Sequence, residues 1–251
     1  MIDVIMSGEV FRVFSGAVSS YAGEAKLHFG EEGLNVRARN PENVAMITVD
    51  IPSVSFEAYK VDKSTVIGVD VARLYEISKG VSISKNRKIT LVELLSNGNE
   101  LVVKFGGFEY SISLIDPSTI NRAPKELRLS LPARIVLDAG KFRRYLSLVE
   151  KINDRVMFKS DSSGLSISAE GDLDTITVHI GENELIDFNR AEAESMFGID
   201  YLIDFIKNFQ TGDTLTINLG RNYPVKLIHE AAGGKVRCEL VLAPRIVEYE
   251  R

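Results

Sequence analysis

The sequence predicts an α+β fold of two similar domains, each with two helices backed by antiparallel sheets. Three observations lead to this prediction. Much of the 251-residue chain consists of short stretches in which apolar and polar residues alternate, as in half-buried strands. Four other stretches repeat their apolar residues every three or four positions, which is typical of amphipathic helices. The order of these elements in the first half of the chain recurs in the second half.

The predicted strands share strict alternation, and the predicted helices share one apolar face. The strands are Leu34 to Ala38, Ile47 to Ile51, Leu101 to Phe105, Phe108 to Ile112, Leu165 to Ala169, Ile176 to Ile180, Leu215 to Leu219 and Val225 to Leu227. The helices cover about residues 9 to 21, 70 to 79, 139 to 152 and 199 to 209, and Phe209 closes the apolar face of the last one.

The internal repeat has an offset of about half the chain. At a shift of 131, Phe11 aligns with Phe142 and Gly33 with Gly164. At a shift of 130, Gly68-Val69-Asp70 aligns with Gly198-Ile199-Asp200, and at 127 the segment 114–117 aligns with 241–244. The ordered succession predicts domains at 1–115 and 131–251. The segment 116–130 contains two prolines and many polar residues, so we expect a surface connector there.

Composition and charge exclude several classes of protein. The net charge of −5 argues against a protein that holds DNA phosphates with a basic face. The single cysteine, Cys238, excludes an internal disulfide and any metal site with several cysteines, and its alternating context predicts a strand residue. No apolar run approaches the roughly 20 residues of a membrane span, and no secretory signal is present, so we expect a cytoplasmic protein without a membrane partner.

The sequence contains no recognisable catalytic or metal-binding motif. The three histidines, the single Gly-Gly-Lys step and the paired acidic residues lack the spacing that metal or phosphate sites require, and the last two groups fall at predicted turns. These residues are His28, His179 and His229, then Gly233-Gly234-Lys235, and then Glu31-Glu32 and Asp172-Leu173-Asp174. We therefore predict no catalytic residue, no metal and no cofactor.

Several segments, in order along the whole chain, resemble archaeal proliferating cell nuclear antigen, the DNA polymerase sliding clamp. They are the first helix, GLNVRARNPENVAMITVDIP (33–52), GVDVARLYEISK (68–79), SLIDPS (113–118) and LAPRI (242–246). The resemblance implies the DNA-clamp fold and three copies closing head to tail into a ring of six domains around duplex DNA. It also implies short peptide motifs as the link to DNA polymerase, the clamp loader, flap endonuclease and DNA ligase.

The resemblance also implies three sets of site residues. The DNA-facing set on the helices is Arg12, Lys79, Arg143, Arg144, Lys151 and Lys207, with Arg144 and Lys151 expected on one helix face. The partner-peptide pocket is Met46, Pro224, Val241, Ala243 and Pro244, with Ile120 or Leu127 supplied by the connector. The subunit interface joins Phe108, Tyr110 and Ile112 of one chain to Ile176, Val178 and Ile180 of the next.

Each set has a plainer interpretation. The cations suit solvated helix faces, Met46 and Val241 suit core strand positions, and the two edges could be capped within one subunit. Two other functions also remain open: a related clamp subunit that forms a ring only with different chains, and a β-rich enzyme with a site dispersed over loops.

Overall fold

The computed structural model describes residues 1–81, 91–96, 98–121, 127, 129–207 and 210–245. The chain forms two compact units, Met1–Lys125 with Ala231–Cys238, and Glu126–Glu230 with Glu239–Arg251. The predicted helix residue Phe209 and connector residues 122–126 and 128 lie outside the described residues.

The elements of the first unit follow the order strand, helix, strands, helix, strands. They are β1 (Ile2–Ser7), α1 (Gly8–Ser19), β2 (Glu24–Gly30), β3 (Gly33–Arg39), β4 (Ala45–Pro52), β5 (Ala58–Val61), β6 (Thr65–Asp70), α2 (Val71–Lys79), β7 (Leu91–Ser96), β8 (Glu100–Phe105) and β9 (Phe108–Ser113). A single 3₁₀ turn at Ser53–Ser55 follows β4.

The second unit repeats this order. Its elements are β10 (Ala133–Asp138), α3 (Ala139–Val149), β11 (Arg155–Asp161), β12 (Gly164–Glu170), β13 (Thr175–Gly181), β14 (Asp187–Asn189), β15 (Ala193–Gly198), α4 (Ile199–Ile206), β16 (Thr214–Leu219) and β17 (Val225–Ala231). The last strand, β18 (Val236–Leu242), has its first three residues in the first unit and the other four in the second. All eight predicted strands and all four predicted helices are confirmed as elements.

Each unit contains antiparallel strands backed by its two helices. In the first unit β9 is the last strand of the series β5-β1-β7-β8-β9, and β4, β3, β2 and β6 are hydrogen-bonded in that order. In the second unit β14, β10, β16 and β17 are neighbours, and β13-β12-β11-β15 forms a separate four-stranded sheet. Helices α1 and α2 pack together, as do α3 and α4.

The structure corrects one part of the predicted repeat. Strand β1, helix α1 and strands β2 and β3 begin 131 residues before β10, α3, β11 and β12, as predicted. However, α2 begins at Val71 and α4 at Ile199, an offset of 128, so the predicted alignment at 130 is wrong. The loops of the first unit differ in length from the equivalent loops of the second. The offset between equivalent residues therefore changes from one element to the next, but stays constant within an element.

Gly33 and Gly164 are equivalent in the repeat and have the same structural role. Their φ angles are +130° and +141°, values that L side chains rarely adopt. A Cβ atom would lie 2.1 Å from the carbonyl oxygen of Ile51 at Gly33, and 2.1 Å from that of Ile180 at Gly164. Gly33 is the first residue of β3 and Gly164 the first of β12. The absence of a side chain at each allows the next strand, β4 or β13, to approach closely.

Apolar side chains from the helices and strands fill both cores. Phe11 and Phe14 of α1 are fully buried in the first unit. In the second unit the ring centroid of Phe158 lies 5.9 Å from Phe142 and 5.5 Å from Phe197, spacings at which aromatic pairs attract each other. Cys238 is 2% exposed in β18, which agrees with the predicted strand position. Among the described residues, no helix is both long enough and apolar enough to cross a membrane.

Candidate functional site

Helix α3 carries the densest group of predicted DNA-facing cations. Asp138 starts the helix, because its carboxylate accepts a hydrogen bond of 2.7 Å from the backbone N–H of Lys141. Phe142, Leu146 and Val149 form the buried face, while Arg143 and Arg144 are exposed. The buried spacing therefore turns both guanidinium groups toward solvent, and α3 can present positive charge to an external anion.

The predicted position of Lys151 on the same helix is wrong. Helix α3 ends at Val149, and the N–H of Lys151 bonds at 3.4 Å to the carbonyl of Leu148, three residues back. Lys151 therefore lies in the turn that follows α3, two residues beyond the last helical residue. Lys151 itself is exposed in the turn.

The other three predicted cations are half-buried or lie beside an acid. Arg12 is half-buried on α1. The Lys79 ammonium lies 2.5 Å from the Glu76 carboxylate and 4.8 Å from the centre of the Tyr75 ring. Lys207, directly after α4, lies 3.5 Å from Asp204. Sequence reasoning missed both ion pairs, although the acid lies three residues before the lysine in each case.

Tyr145 connects α3 to the 3₁₀ turn Glu182–Glu184. Its hydroxyl donates a hydrogen bond of 3.2 Å to the Glu184 carboxylate. Desolvation by burial raises the pKa of Tyr145, and the hydrogen bond and negative charge of Glu184 raise it further. Tyr145 is therefore a neutral donor at physiological pH, and its hydrogen bond joins α3 to this 3₁₀ turn.

Two predicted interface strands lie at the ends of their series. Strand β9 has β8 as its neighbour and β13 has β12, and each has a second long side without a partner strand among the described residues. Phe108 and Tyr110 are 59% and 42% exposed, whereas Ile112 is buried. Ile176 and Val178 are half-buried, and Ile180 is buried. Exposed apolar rings on an edge strand are characteristic of a surface that pairs with another chain.

The predicted peptide-pocket residues belong to both units. In the first unit, Met46 is 6% and Ile120 8% exposed. Ile120 packs on Gly68, where a Cβ atom would lie 2.8 Å from its Cδ1.

The peptide-pocket residues of the second unit differ in exposure. Val241 is buried, Pro224, Ala243 and Pro244 are half-buried, and Leu127 is 43% exposed. The N–H of Arg245 bonds at 2.7 Å to the carbonyl of Met196, which anchors the segment containing Ala243 and Pro244.

The three histidines have separate environments. The Nε2 atom of His229 lies 2.9 Å from the Asp213 carboxylate, and Nδ1 of His179 lies 3.0 Å from the Ser166 hydroxyl. Burial lowers the pKa of His28, and the charges of Lys26 and Arg37 lower it further. Over the described ranges, no three His, Cys, Asp or Glu side chains come together in a way that could hold a metal ion.

Comparison with known proteins identifies the family. The family model described as "Proliferating cell nuclear antigen, N-terminal domain" matches residues 5–107. The DNA polymerase sliding clamp of Archaeoglobus fulgidus is 49% identical over 247 residues, which are 98% of this chain and 99% of that protein. The chain belongs to the proliferating cell nuclear antigen (PCNA) family of DNA polymerase sliding clamps.

Other PCNA proteins agree with this assignment. The sliding clamp of Methanosarcina mazei is 32% identical over 246 residues, 98% of this chain and 99% of that protein. The solved structure of A. fulgidus PCNA bound to the C-terminal region of FEN-1 has a TM-score of 0.95 at 48% identity, covering 99% of this chain and 100% of that one. PCNA of Thermococcus kodakaraensis, at 21% identity and a TM-score of 0.87 over 98% of this chain and 100% of that one, shows the same fold.

Membership in the PCNA family confirms the predicted resemblance and the predicted α+β clamp fold. It also confirms that the chain is not an enzyme, because sliding clamps are non-catalytic processivity factors.

Proposed function

We propose that three copies of the chain form a ring around duplex DNA and tether the replicative polymerase, flap endonuclease, ligase and clamp loader to it. The observation that carries this proposal is the pair of apolar edge strands, β9 and β13, one in each unit. A contact between two different surfaces of one chain closes into a ring when the rotation allows it. The domains of this ring subunit are 1–115 and 131–251, joined by the connector 116–130, and the ring acts in the cytoplasm.

The side chains of β9 suit a contact between subunits. The Phe105 ring centroid lies 5.8 Å from that of Phe108 and 6.0 Å from that of Tyr110. These three rings support one another, so Phe108 and Tyr110 present a pre-organised apolar surface beside the open strand edge. Pairing with β13 of the next chain would cover both this surface and the half-buried Ile176 and Val178 while satisfying the backbone groups of both edges.

A ring retains DNA by enclosing it, so weak contacts are sufficient. This accounts for a DNA-associated protein with a net charge of −5. The DNA-facing surface consists of Arg12, Lys79, Arg143, Arg144, Lys151 and Lys207. Arg143 and Arg144 contribute most, because both are exposed on α3, whereas Lys79 and Lys207 share their charge with a nearby acid.

Partner peptides insert an apolar anchor among Met46, Ile120, Leu127, Pro224, Val241, Ala243 and Pro244. All of these side chains except the exposed Leu127 are buried or half-buried, and such apolar and proline groups offer a desolvated surface for an anchor. The related A. fulgidus PCNA was solved with the C-terminal region of FEN-1 bound to it, and we extend this class of partner to the present chain.

Light scattering tests ring formation. We expect a mass near three times 27.8 kDa over a range of concentrations. Tyr110→Asp should reduce it to that of one chain, because a carboxylate at the edge would be buried without a partner. Val66→Asp is the matched control, since Val66 is 40% exposed on β6, an edge strand that the ring does not use. A wild-type mass of one chain at every concentration would refute self-assembly and favour a ring with different subunits.

Loading on primed circular DNA tests the DNA-facing surface. Replacing Arg144, Lys151 and Lys207 by Ala should reduce loading or processive synthesis by about tenfold at moderate salt, while the mass of the ring is unchanged. Replacing Arg155, Lys159 and Arg221 removes the same charge outside the proposed surface and should leave loading intact. Equal activity of the two triple variants would remove Arg144, Lys151 and Lys207 from the DNA-facing surface.

A further inference from the structure

One face of the first unit's sheet gathers basic side chains from two strands. In the β2–β6 pair, Lys26 lies opposite Gly68. In the β3–β4 pair, Arg37 lies opposite Thr48 and Arg39 lies opposite Met46. Continuing the β2–β3 register places Lys26 opposite Arg37. Residues directly opposite one another share a sheet face. The three cations, Lys26, Arg37 and Arg39, therefore lie together on one face, and we call them the basic cluster.

The basic cluster lines a cavity of about 400 Å³. Polar groups of Asn40, Asn43 and Thr119 also line it, and the start of the connector forms one side. Glu24 is the one acidic residue among the lining residues. The lining therefore has a net charge of +2, whereas the whole chain has a net charge of −5. A concave surface of this charge favours an anionic ligand over a neutral one.

The pKa of Asp116 is lowered, mainly by hydrogen bonds from Ser118 and in part by the charge of Lys26. The basic cluster nevertheless forms no close ion pair within the described part of the chain. There, no carboxylate lies within 4.0 Å of the charged nitrogens of Lys26, Arg37 or Arg39. Arg37 makes one hydrogen bond to a neutral partner, from its Nε to the Thr48 hydroxyl at 3.3 Å. Each guanidinium has five N–H donors, so both arginines retain donors for a carboxylate.

The fold does not require these cations. At the repeat offset of 131, the second unit has Met157, Ser168 and Glu170 in place of Lys26, Arg37 and Arg39. Strands β11 and β12 pair in the same register as β2 and β3, with Met157 opposite Ser168. The same pair of strands thus forms without any of the three positive charges, which indicates that the basic cluster serves recognition in the first unit and not folding.

The cavity is continuous with part of the proposed peptide pocket. Arg39 and Met46 are ladder partners on the same face. Ile120 packs on Gly68, the ladder partner of Lys26, and itself lines the cavity. A peptide anchored against Met46 and Ile120 therefore has the basic cluster within the reach of its next few residues, since an extended chain advances about 3.3 Å per residue.

We infer that the basic cluster binds acidic residues that flank the apolar anchor of a partner peptide. This inference rests on the proposed function, because it assumes that Met46 and Ile120 belong to the anchor pocket. The carboxylates of a Glu or Asp segment would pair with the two guanidinium groups and the Lys26 ammonium. Partners with acidic flanks would then compete better for the ring than partners with neutral flanks.

Matched peptides test the inference on the intact protein. The probe is the FEN-1 C-terminal peptide extended by four glutamates or by four glutamines, added to each end in turn. For the wild type, we expect the glutamate extension to matter at one of the two ends. At that end the glutamate peptide should bind about tenfold more tightly than the glutamine peptide at low salt, and the difference should shrink as salt is raised. In the variant Lys26→Gln/Arg37→Gln/Arg39→Gln the two peptides should bind equally.

A second triple variant controls for total charge. Arg155→Gln/Lys159→Gln/Arg221→Gln also removes three positive charges, and it should keep the tenfold preference. Equal binding of both peptides to the wild type, or a preference that persists without the basic cluster, would overturn the inference while leaving the anchor pocket in place. Failure of every peptide to bind would refute the proposed function itself. Displacement by short single-stranded DNA at concentrations below those of free tetraglutamate would assign the basic cluster to nucleic acid instead.

Discussion

Helices α1 and α3 occupy equivalent positions in the repeat but differ in how much of their surface is buried. Nine of the twelve residues of α1 are buried, compared with four of the eleven of α3. In α1 small residues such as Gly16 and Ala17 are buried in addition to the large apolar ones. The same backbone arrangement thus provides one helix that belongs almost wholly to the core and another that keeps a broad face for charged residues.

The two cores also differ at an equivalent strand position, where the first unit again buries the larger apolar group. Phe29 of β2 is fully buried, and its equivalent in β11 at the offset of 131 is Ser160, also buried at 1% exposure. The Ser160 hydroxyl has no hydrogen-bond partner in the part of the chain that the structure describes. The first unit therefore has a large aromatic group where the second has a small polar one. Duplicate positions tolerate divergence as long as the strand register is preserved.

Phe29→Ala should produce the largest loss of stability. Truncating a fully buried phenylalanine removes apolar burial and leaves a cavity, which costs about 3 to 5 kcal/mol of unfolding free energy. Urea unfolding at fixed protein concentration measures this loss. A loss below 1 kcal/mol would mean that the first unit repacks around a small side chain at this position.

Gly33→Ala and Gly164→Ala should each reduce the unfolding free energy by about 2 to 4 kcal/mol, because the new Cβ meets a backbone oxygen and φ is unfavourable. Two controls separate these causes. Gly98 has a φ of +117° in open space, and Gly30 has open space with no unusual φ. Gly98→Ala should lose about 1 kcal/mol and Gly30→Ala almost nothing. Unequal losses at Gly33 and Gly164 would show that the two hairpins are not equivalent.

Asp138→Ala should cost more than Asp70→Ala. Asp70 caps α2 with one bond of 2.8 Å to the N–H of Arg73. Asp138 caps α3 and also accepts a bond of 2.8 Å from the N–H of Gly212. We expect losses of about 2 kcal/mol and about 1 kcal/mol, respectively, in thermal or urea unfolding. The reverse order would show that the bond to Gly212 adds nothing to stability.

Ser160→Ala should have the smallest effect, a gain of up to about 1 kcal/mol, because it removes a buried hydroxyl without a partner. Ser195→Ala is the matched control. The buried Ser195 hydroxyl bonds to the carbonyls of Gly220 and Tyr223 and accepts from the N–H of Tyr223, so its loss should destabilise the protein by about 1 to 3 kcal/mol. Destabilisation by Ser160→Ala would indicate a partner for its hydroxyl.

Periodic burial did not decide which strands were predicted from the sequence: β3 and β12 were predicted, whereas β7 and β11, whose buried residues alternate as regularly, were not. Buried and less buried residues alternate in β3 and β12 because one side of each faces a core, whereas β4 is buried on both sides over most of its length and β13 is mostly exposed or half-buried. Strand β14 has three residues, and none of them is buried, so no hydrophobic period can reveal it. Helix ends were less predictable, since the last turn of α3 depends on local hydrogen bonds that leave no mark on the apolar spacing.

Among the candidate sites, residues related by spacing along one helix could be predicted, whereas residues brought together by strand pairing could not. Individual cations on helices, such as Arg143, could be selected from sequence because a helix face follows from spacing along the chain. The basic cluster could not, because Lys26 and Arg37 come from different strands and meet only through the β2–β3 register. The ion pair of Lys79 with Glu76 could have been predicted from their spacing of three residues.

The burial of Cys238 makes the protein well suited to site-specific labelling. It is the single cysteine of the chain, and at 2% exposure in β18 it is shielded from maleimide reagents. Leu173 is 97% exposed, so Leu173→Cys would supply one reactive thiol per subunit without removal of the native one. In a ring of three, spin labels at this position would form an equilateral triangle. A single interspin distance would then report closure, and a second distance would report an opened ring.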